Sequence, residues 1–388
     1  MTALRPNAAL FTRAFVLVFF ANLFQGIAFS LFLHLPGFLK DLGADETEIG
    51  LIFGITALVS IAVRPKVGSV MDNRGRRVVI LAGNFLNVAV IGGYVLVGDV
   101  GVLLYAVRIL HGLAEALLFT ALFTYAADQV PPARLTQGLA IFGVSGMLPI
   151  SIGGLLGDVI LERAGYDALF LTALALAVLA LLFALQLRDA PRSEAHEEEP
   201  PRGFRAALLQ SDLMPLWWIA TIFSVALAAM FTFVKTFVME TGAGSVGGFF
   251  TGYTAIALVL RVFFGWLPDR IGPKRVLFPA LAVLATGFVL LSQATTSAEV
   301  ALAGVLCGAG HGYTFPILFG MVVSRTREAD RGSAMAIYTA LFDVGVLLGG
   351  PSLGFVIERA GYPAMYAVAA VLVFLGTVIF AVWDRGRS

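Results

Sequence analysis

Apolar residues run along this chain in long blocks separated by short polar breaks. Blocks of about 18 or more mostly apolar residues match the roughly 20 that a helix needs to cross the hydrocarbon core of a bilayer. They fall near 14–36, 49–70, 78–97, 102–125, 138–160, 168–187, 213–238, 247–267, 276–294, 298–323, 333–356 and 363–383. No apolar–polar alternation of strand period persists between them. Lipid offers backbone N–H and C=O groups no hydrogen-bond partner, so the pattern predicts an all-α membrane protein of twelve transmembrane helices. The longest polar break, 188–212, carries Pro191, Glu197, Glu198, Glu199, Pro200 and Pro201 and divides the spans six and six. The expected organisation is a six-helix bundle over 1–187, a cytoplasmic linker over 188–212 and a second six-helix bundle over 213–388. The acidic, proline-rich linker has the composition of a disordered segment.

Composition agrees with lipid as the main solvent. Of 388 residues 59% are hydrophobic and 13% charged, with a mean hydropathy of +0.90, whereas a soluble domain is roughly a quarter charged. A net charge of +1 gives no reason to expect nucleic acid as a partner. Arg5 and Arg13 precede an apolar run longer than the roughly 7–15 residues of a signal sequence, so the first block is read as a retained span. Cys307 lies in an apolar block without a second cysteine in the chain and is read as a small buried residue. Lysine and arginine placement sets orientation. Arg64, Lys66, Arg108, Lys235 and Arg261 lie inside spans, and with a cytoplasmic N-terminus only Lys40, Arg163 and Arg359 fall outside the cell. All the others fall on the cytoplasmic side. This predicts a multi-pass protein of the cell (inner or plasma) membrane with both termini and the linker in the cytoplasm.

The chain also repeats itself. Arg64, Gly68, Asp72 and Gly75 recur 197 residues later as Arg261, Gly265, Asp269 and Gly272. Glu162-Arg163-Ala164-Gly165-Tyr166 recurs 196 residues later as Glu358-Arg359-Ala360-Gly361-Tyr362. Six spans separate the copies, an even number, so the halves have parallel topology about an axis along the membrane normal.

The stretch RPKVGSVMDNRGRR resembles the signature loop between spans two and three of the major facilitator superfamily, roughly G-x3-D-[RK]-x-G-[RK]-[RK]. Gly68, Asp72, Gly75, Arg76 and Arg77 match; Asn73 replaces the usual basic residue and Arg74 sits one place later. The copy GWLPDRIGPKR matches at Gly265, Asp269, Arg270 and Gly272, and Arg108-Ile109-Leu110-His111-Gly112 resembles the arginine motif of span four. The resemblance implies two pseudo-symmetric six-helix bundles and secondary transport of a small solute by alternating access, by a monomer without a cofactor. It also implies a conformational latch of Gly68, Asp72, Arg74, Gly75, Arg76, Arg77, Asp269 and Arg270. Physically, a carboxylate at Asp72 near the start of span eleven at Ser333 meets the positive end of a helix, worth about 0.3–1 kcal/mol. Span five has Gly143, Gly146, Pro149, Gly153 and Gly154 but lacks the Gly-Pro step of many antiporters, which Gly350-Pro351 in span eleven retains. The texture is closer to bacterial efflux members than to sugar importers.

Ionisable groups within spans mark transport chemistry. Arg108, His111 and Glu115, spaced i, i+3, i+7, share one helix face within roughly a 60° arc. Glu115, Asp343, His111 and His311 are the expected proton-coupling groups; Asn22, Gln25, Arg108, Lys235 and Tyr313 the expected substrate contacts. Arg64 and Arg261 read as structural partners of the repeated loop, and the glycines of span ten as sites of close packing. No phosphate-binding Gly-Lys-Ser/Thr step occurs, so transport draws on a gradient, for which in-span His and Glu suggest protons. Proton-coupled export is the expected direction, with uptake of a small organic anion on Arg108 and Lys235 as the alternative. An intramembrane enzyme or receptor is the remote one, since HExxH and G-x-S-x-G patterns are missing. The expected partners are the small-molecule substrate, protons and the lipid bilayer.

The latch predicts that Asp72→Asn shifts the protein toward cytoplasm-open states and sharply reduces transport while the variant still inserts in the membrane. Flux through the reconstituted variant checks this, and normal flux contradicts the latch.

Overall fold

The computed structural model describes residues 11–130, 135–188, 204–327 and 330–386. The prolines and glutamates of the expected linker, from Pro191 to Pro201, lie outside them. Every regular element among the described residues is helical. α1 (Arg13–Ser30) passes through a 3-10 turn (Leu31–His34) into α2 (Leu35–Asp41), and α3 (Glu46–Arg74), α4 (Arg76–Tyr94), α5 (Val102–Asp128) and α6 (Leu135–Leu185) follow. A short α7 (Phe204–Leu208) lies within the expected linker and precedes α8 (Met214–Thr241) and α9 (Val246–Phe264). Then come a short α10 (Leu267–Ile271), α11 (Pro273–Gln293), α12 (Ser297–Arg325) and α13 (Arg331–Trp383).

Two of these helices are far longer than a bilayer is thick. α6 has 51 residues and α13 has 53, about 75–80 Å each if straight. Each is broken once, at Gly165 (φ 74°) and Gly361 (φ 79°), the equivalent glycines of the repeated Glu-Arg-Ala-Gly-Tyr motif. A left-handed residue ends a helix at little strain only when it has no Cβ. The connections expected between spans five and six, and between eleven and twelve, thus shrink to a single glycine each. Among the described residues ten helices are long and apolar enough to span, and the two broken ones count double, giving twelve spans. Bulky apolar side chains such as Phe85, Phe119 and Phe374 are exposed, as suits a lipid-facing surface.

The chain forms two compact units. One comprises residues up to 32 together with 62–193; the other comprises 33–61 together with 194–388. In the first, α1 packs on α6 and α4 on both α5 and α6; in the second, α8 packs on α13 and α11 on both α12 and α13. The pairings correspond, and so do their polar ties. Gly75 (φ 91°) starts α4 and Gly272 (φ 102°) starts α11, 197 residues apart. The basic residues that follow reach the end of the last span of their own unit. Arg77 Nε donates to the Leu187 carbonyl at 2.7 Å, and Lys274 Nζ donates to the Asp384 carbonyl at 2.8 Å, both ends of the tie again 197 residues apart.

Glycines set the helix contacts of the second unit. Added Cβ atoms at Gly304, Gly308 and Gly312 of α12 would strike Phe249, Tyr253 and Ala257 of α9 in turn, and one at Gly310 would strike Leu284 of α11. The glycine-rich stretch therefore lets α9 and α11 approach α12 at backbone distance. α3 follows α13 in the same manner. Gly50 lies against Gly350, Gly54 against Leu347, and Gly354 against the backbone of Glu46 and Thr47.

The end of the second unit beyond α13 closes on Asp384. Its carboxylate takes a two-pronged contact from Arg325 at 2.7 and 2.8 Å and a third from Lys274 at 2.9 Å. Burial works against the charged form, but the Arg325 and Lys274 contacts outweigh it and hold the carboxyl below the usual range. Asp384→Asn strands two cations beside a buried site and is expected to cost about 3–5 kcal/mol. A depressed carboxyl stabilises the fold above its unfolded pKa of about 3.9 and loses that contribution as pH falls through the lower folded value. The difference in thermal midpoint between native and variant protein in detergent should thus be full at neutral pH and shrink below about pH 4.

Candidate functional site

The first unit buries a polar cluster among aromatic rings. Arg108, His111 and Glu115 project from one face of α5, as their spacing requires. Arg108 and His111 are buried, and Glu115 is half-buried. All three converge on Tyr94 at the end of α4. Arg108 Nη1 donates to the Tyr94 hydroxyl at 3.2 Å, and the same hydroxyl pairs with His111 Nδ1 at 3.1 Å. Glu115 acts on the same tyrosine through its charge. Phe32 stands edge-on to the His111 ring at 4.7 Å and Phe29 at 6.3 Å. The Nε2 atom of His111 is buried without a hydrogen-bond partner among the described residues.

Amide side chains form a second polar layer in this unit. Gln25 Oε1 accepts from Asn87 Nδ2 at 2.9 Å, tying α1 to α4, and Asn22 Nδ2 donates to Ser145 Oγ at 2.9 Å, tying α1 to α6. The second unit holds Asp343, which accepts a hydrogen bond from Ser60 Oγ of α3 at 3.1 Å. His311 pairs through Nδ1 with the Tyr253 hydroxyl and lies against Phe223 and Phe315. Lys235 is half-buried in α8, and Tyr313 donates its hydroxyl proton to the Phe264 carbonyl at 3.1 Å.

Of the loop residues, Gly75 caps α4 with its left-handed backbone. Arg76 pairs with Asp128 at 3.0 Å and donates to the Met71 carbonyl, and Arg77 holds the end of α6. Arg74 is exposed at the end of α3; Asp269 and Arg270 are exposed on α10, with Arg270 over the Trp266 ring at 5.5 Å. Gly68 and Asp72 belong to the helical backbone of α3, but their side-chain positions lie outside the described ones.

A further cluster sits where α2 ends and α3 begins. Lys40 Nζ lies 2.7 Å from Glu46 Oε1 and 3.3 Å from Glu240 of α8. The Tyr362 hydroxyl of α13 donates to the same Glu46 oxygen at 2.6 Å, and Glu358 accepts from the Thr47 N–H at 2.7 Å. Glu46 is buried, and its second oxygen has no hydrogen-bond partner among the described residues. Tyr94, Asn87, Ser60 and Glu46 are not among the residues that the sequence pattern singles out. Asn87 carried a usable signal, a polar side chain within an apolar span like Asn22 and Gln25. Glu46 carried none, because its partner Tyr362 is 316 residues away.

The family model described as Major Facilitator Superfamily matches residues 15–249 and 239–387. The multidrug resistance protein MdtG of Proteus mirabilis is 26% identical over 396 residues, covering 97% of this chain and 96% of that protein. The staphylopine export protein of Staphylococcus aureus is 22% identical over 358 residues, covering 89% of each. Among solved structures, a mutant of the nucleoside transporter NupG superposes with a TM-score of 0.80 at 14% identity, over 96% of this chain and all of that one.

Glu46→Gln keeps an acceptor for Tyr362 and removes the charge that Lys40 meets. With Lys40 about a third exposed, the loss is expected to be about 1–2 kcal/mol. Glu46→Gln and Lys40→Met should be clearly non-additive in a double-mutant cycle on thermal midpoints; additivity would show that the two groups act independently.

Proposed function

Because the chain belongs to the major facilitator superfamily, we propose that it exports a small organic solute in exchange for protons, by alternating access. The chain is a multi-pass membrane transporter and not an enzyme. The outward direction is supported by relatives named for multidrug resistance and for staphylopine export. In this reading it acts as a monomer in the cell (inner) membrane, with both termini cytoplasmic, and residues 1–187 and 213–388 are the parts that move, joined by 188–212. Asp72 and the basic residues beside it form the cytoplasmic latch. The Glu46 cluster and the Gly50–Gly350 contact are the outer ties that must part when the transporter opens outward.

One observation carries the proton coupling: each unit holds a half-buried carboxylate well inside a lipid-spanning helix, Glu115 in α5 and Asp343 in α13. Such groups are retained in spans for function. Glu115 takes the principal role, because Arg108 and His111 reach it through Tyr94 and respond to any change there. His111 and His311 belong to the same proton relays, and Asn22, Gln25, Lys235 and Tyr313 to the substrate path.

The test uses a solute found by thermal shift to bind the purified protein. In proteoliposomes, Glu115→Gln should still exchange that solute but lose proton-driven accumulation at least tenfold. If Glu115→Gln still concentrates the solute and Asp343→Asn does not, the role belongs to Asp343. The sign of the gradient that drives accumulation separates export from import.

A further inference from the structure

α9 and α12 meet in steps of four residues: Phe249 on Gly304, Tyr253 on Gly308, Ala257 on Gly312. The next step of that register sets Arg261 opposite Pro316. Proline has no N–H, so the Gly312 carbonyl, four residues earlier in α12, lacks its helical donor. Arg261 supplies one, with Nε donating to that carbonyl at 3.4 Å. The bond fixes the guanidinium and uses one of its five N–H groups. Its Nη atoms have no acceptor, and no carboxylate pairs with it, among the described residues. The ionisable group that acts on it is the Tyr338 hydroxyl, which is buried and gives its own proton to the Phe315 carbonyl at 2.9 Å. Arg261 lies half-buried in the last turn of α9, where its guanidinium meets the negative end of its helix but no carboxylate among the described residues, which leaves its Nη edge open to an anion.

Beside it stands an aromatic wall. Tyr338 and Phe342 of α13 are 5.3 Å apart, and Phe315 of α12 lies 5.6 and 5.0 Å from them. Phe223 of α8 continues the wall at 5.9 Å from Phe342. We infer that Arg261 is a substrate-binding residue for an aromatic organic anion, whose carboxylate or sulfonate meets the Nη edge while its ring lies on the half-buried Phe315 and Phe342, backed by the buried Tyr338. This rests on the transporter reading and names its substrate class. Arg261, expected from the repeat to serve the loop, has a role that the repeat does not carry. A planar fork anchored at Nε suits a two-oxygen anion, which a lysine in its place would meet only as a point charge.

The experiment measures binding to the whole purified protein in non-ionic detergent by thermal shift and calorimetry. The probes are 1-naphthoate and naphthalene-2-sulfonate, with neutral 1-naphthamide and cationic tetraphenylphosphonium as controls. Both anions should bind; Arg261→Gln should weaken them at least tenfold, and Arg261→Lys less. Arg261→Gln also removes the donor from the Gly312 carbonyl and could unfold the site, so it is repeated on Pro316→Ala, which returns a helical N–H to that carbonyl. The double variant should melt with Pro316→Ala and still fail to bind the anions. Undiminished anion binding by the double variant overturns the inference. So does a native protein that binds neither anion, or binds the neutral amide or the cation as tightly. Flux of the bound probe into liposomes is read separately. Arg261-dependent binding without flux keeps this site and counts against transport, whereas flux of the cation alone keeps transport and discards the site.

Discussion

A backbone carbonyl surrounded by lipid must be given a donor, and most of this molecule follows from that demand. It restricts the chain to helices. It also limits where a helix can turn, and the two longest turn at glycines that hold left-handed backbone, Gly165 and Gly361. Where a proline removes an N–H inside α12, a side chain from α9 replaces it. Where the last spans of the two units end, Arg77 and Lys274 reach across to their final carbonyls. Side chains that would serve as surface charge in a soluble protein are drawn here into completing the backbone.

The second governing feature is how near the helices come. Leu- and Phe-rich faces look outward, while contacts within the second unit rest on glycines whose missing Cβ atoms leave room for a neighbouring backbone. Without a hydrophobic drive between helices in lipid, this closeness supplies the dispersion contact that holds them. The polar groups then act as fixed points along the seam: Ser60 on Asp343, and Glu46 at the start of α3 with Lys40 and Tyr362.

The architecture was legible in the sequence because hydropathy and the repeat are chain-wide signals. Twelve apolar blocks and two sets of repeated residues required no knowledge of contacts. The site was legible only along single helices. The spacing of Arg108, His111 and Glu115 put them on one face, but their common partner Tyr94 belongs to another helix and looked like any apolar-span tyrosine. Repetition misled where environment differs between the copies. Tyr362 binds Glu46, whereas its counterpart Tyr166 packs near Phe170, 6.3 Å between rings. Arg261, likewise, is defined by a proline on α12 and not by its sequence twin.

The contact of Gly50 with Gly350 has a consequence for kinetics. Most helix pairs interlock, side-chain ridges lying in the partner's grooves, and to separate they must first lift out of register. Two bare backbones have no such teeth, so parting or sliding meets little friction even though dispersion holds the faces together. The speed with which α3 can leave α13 is therefore governed by the polar fasteners at Glu46 and Ser60, and a protein of this design can alter its tempo by changing one of them and leaving its helices alone.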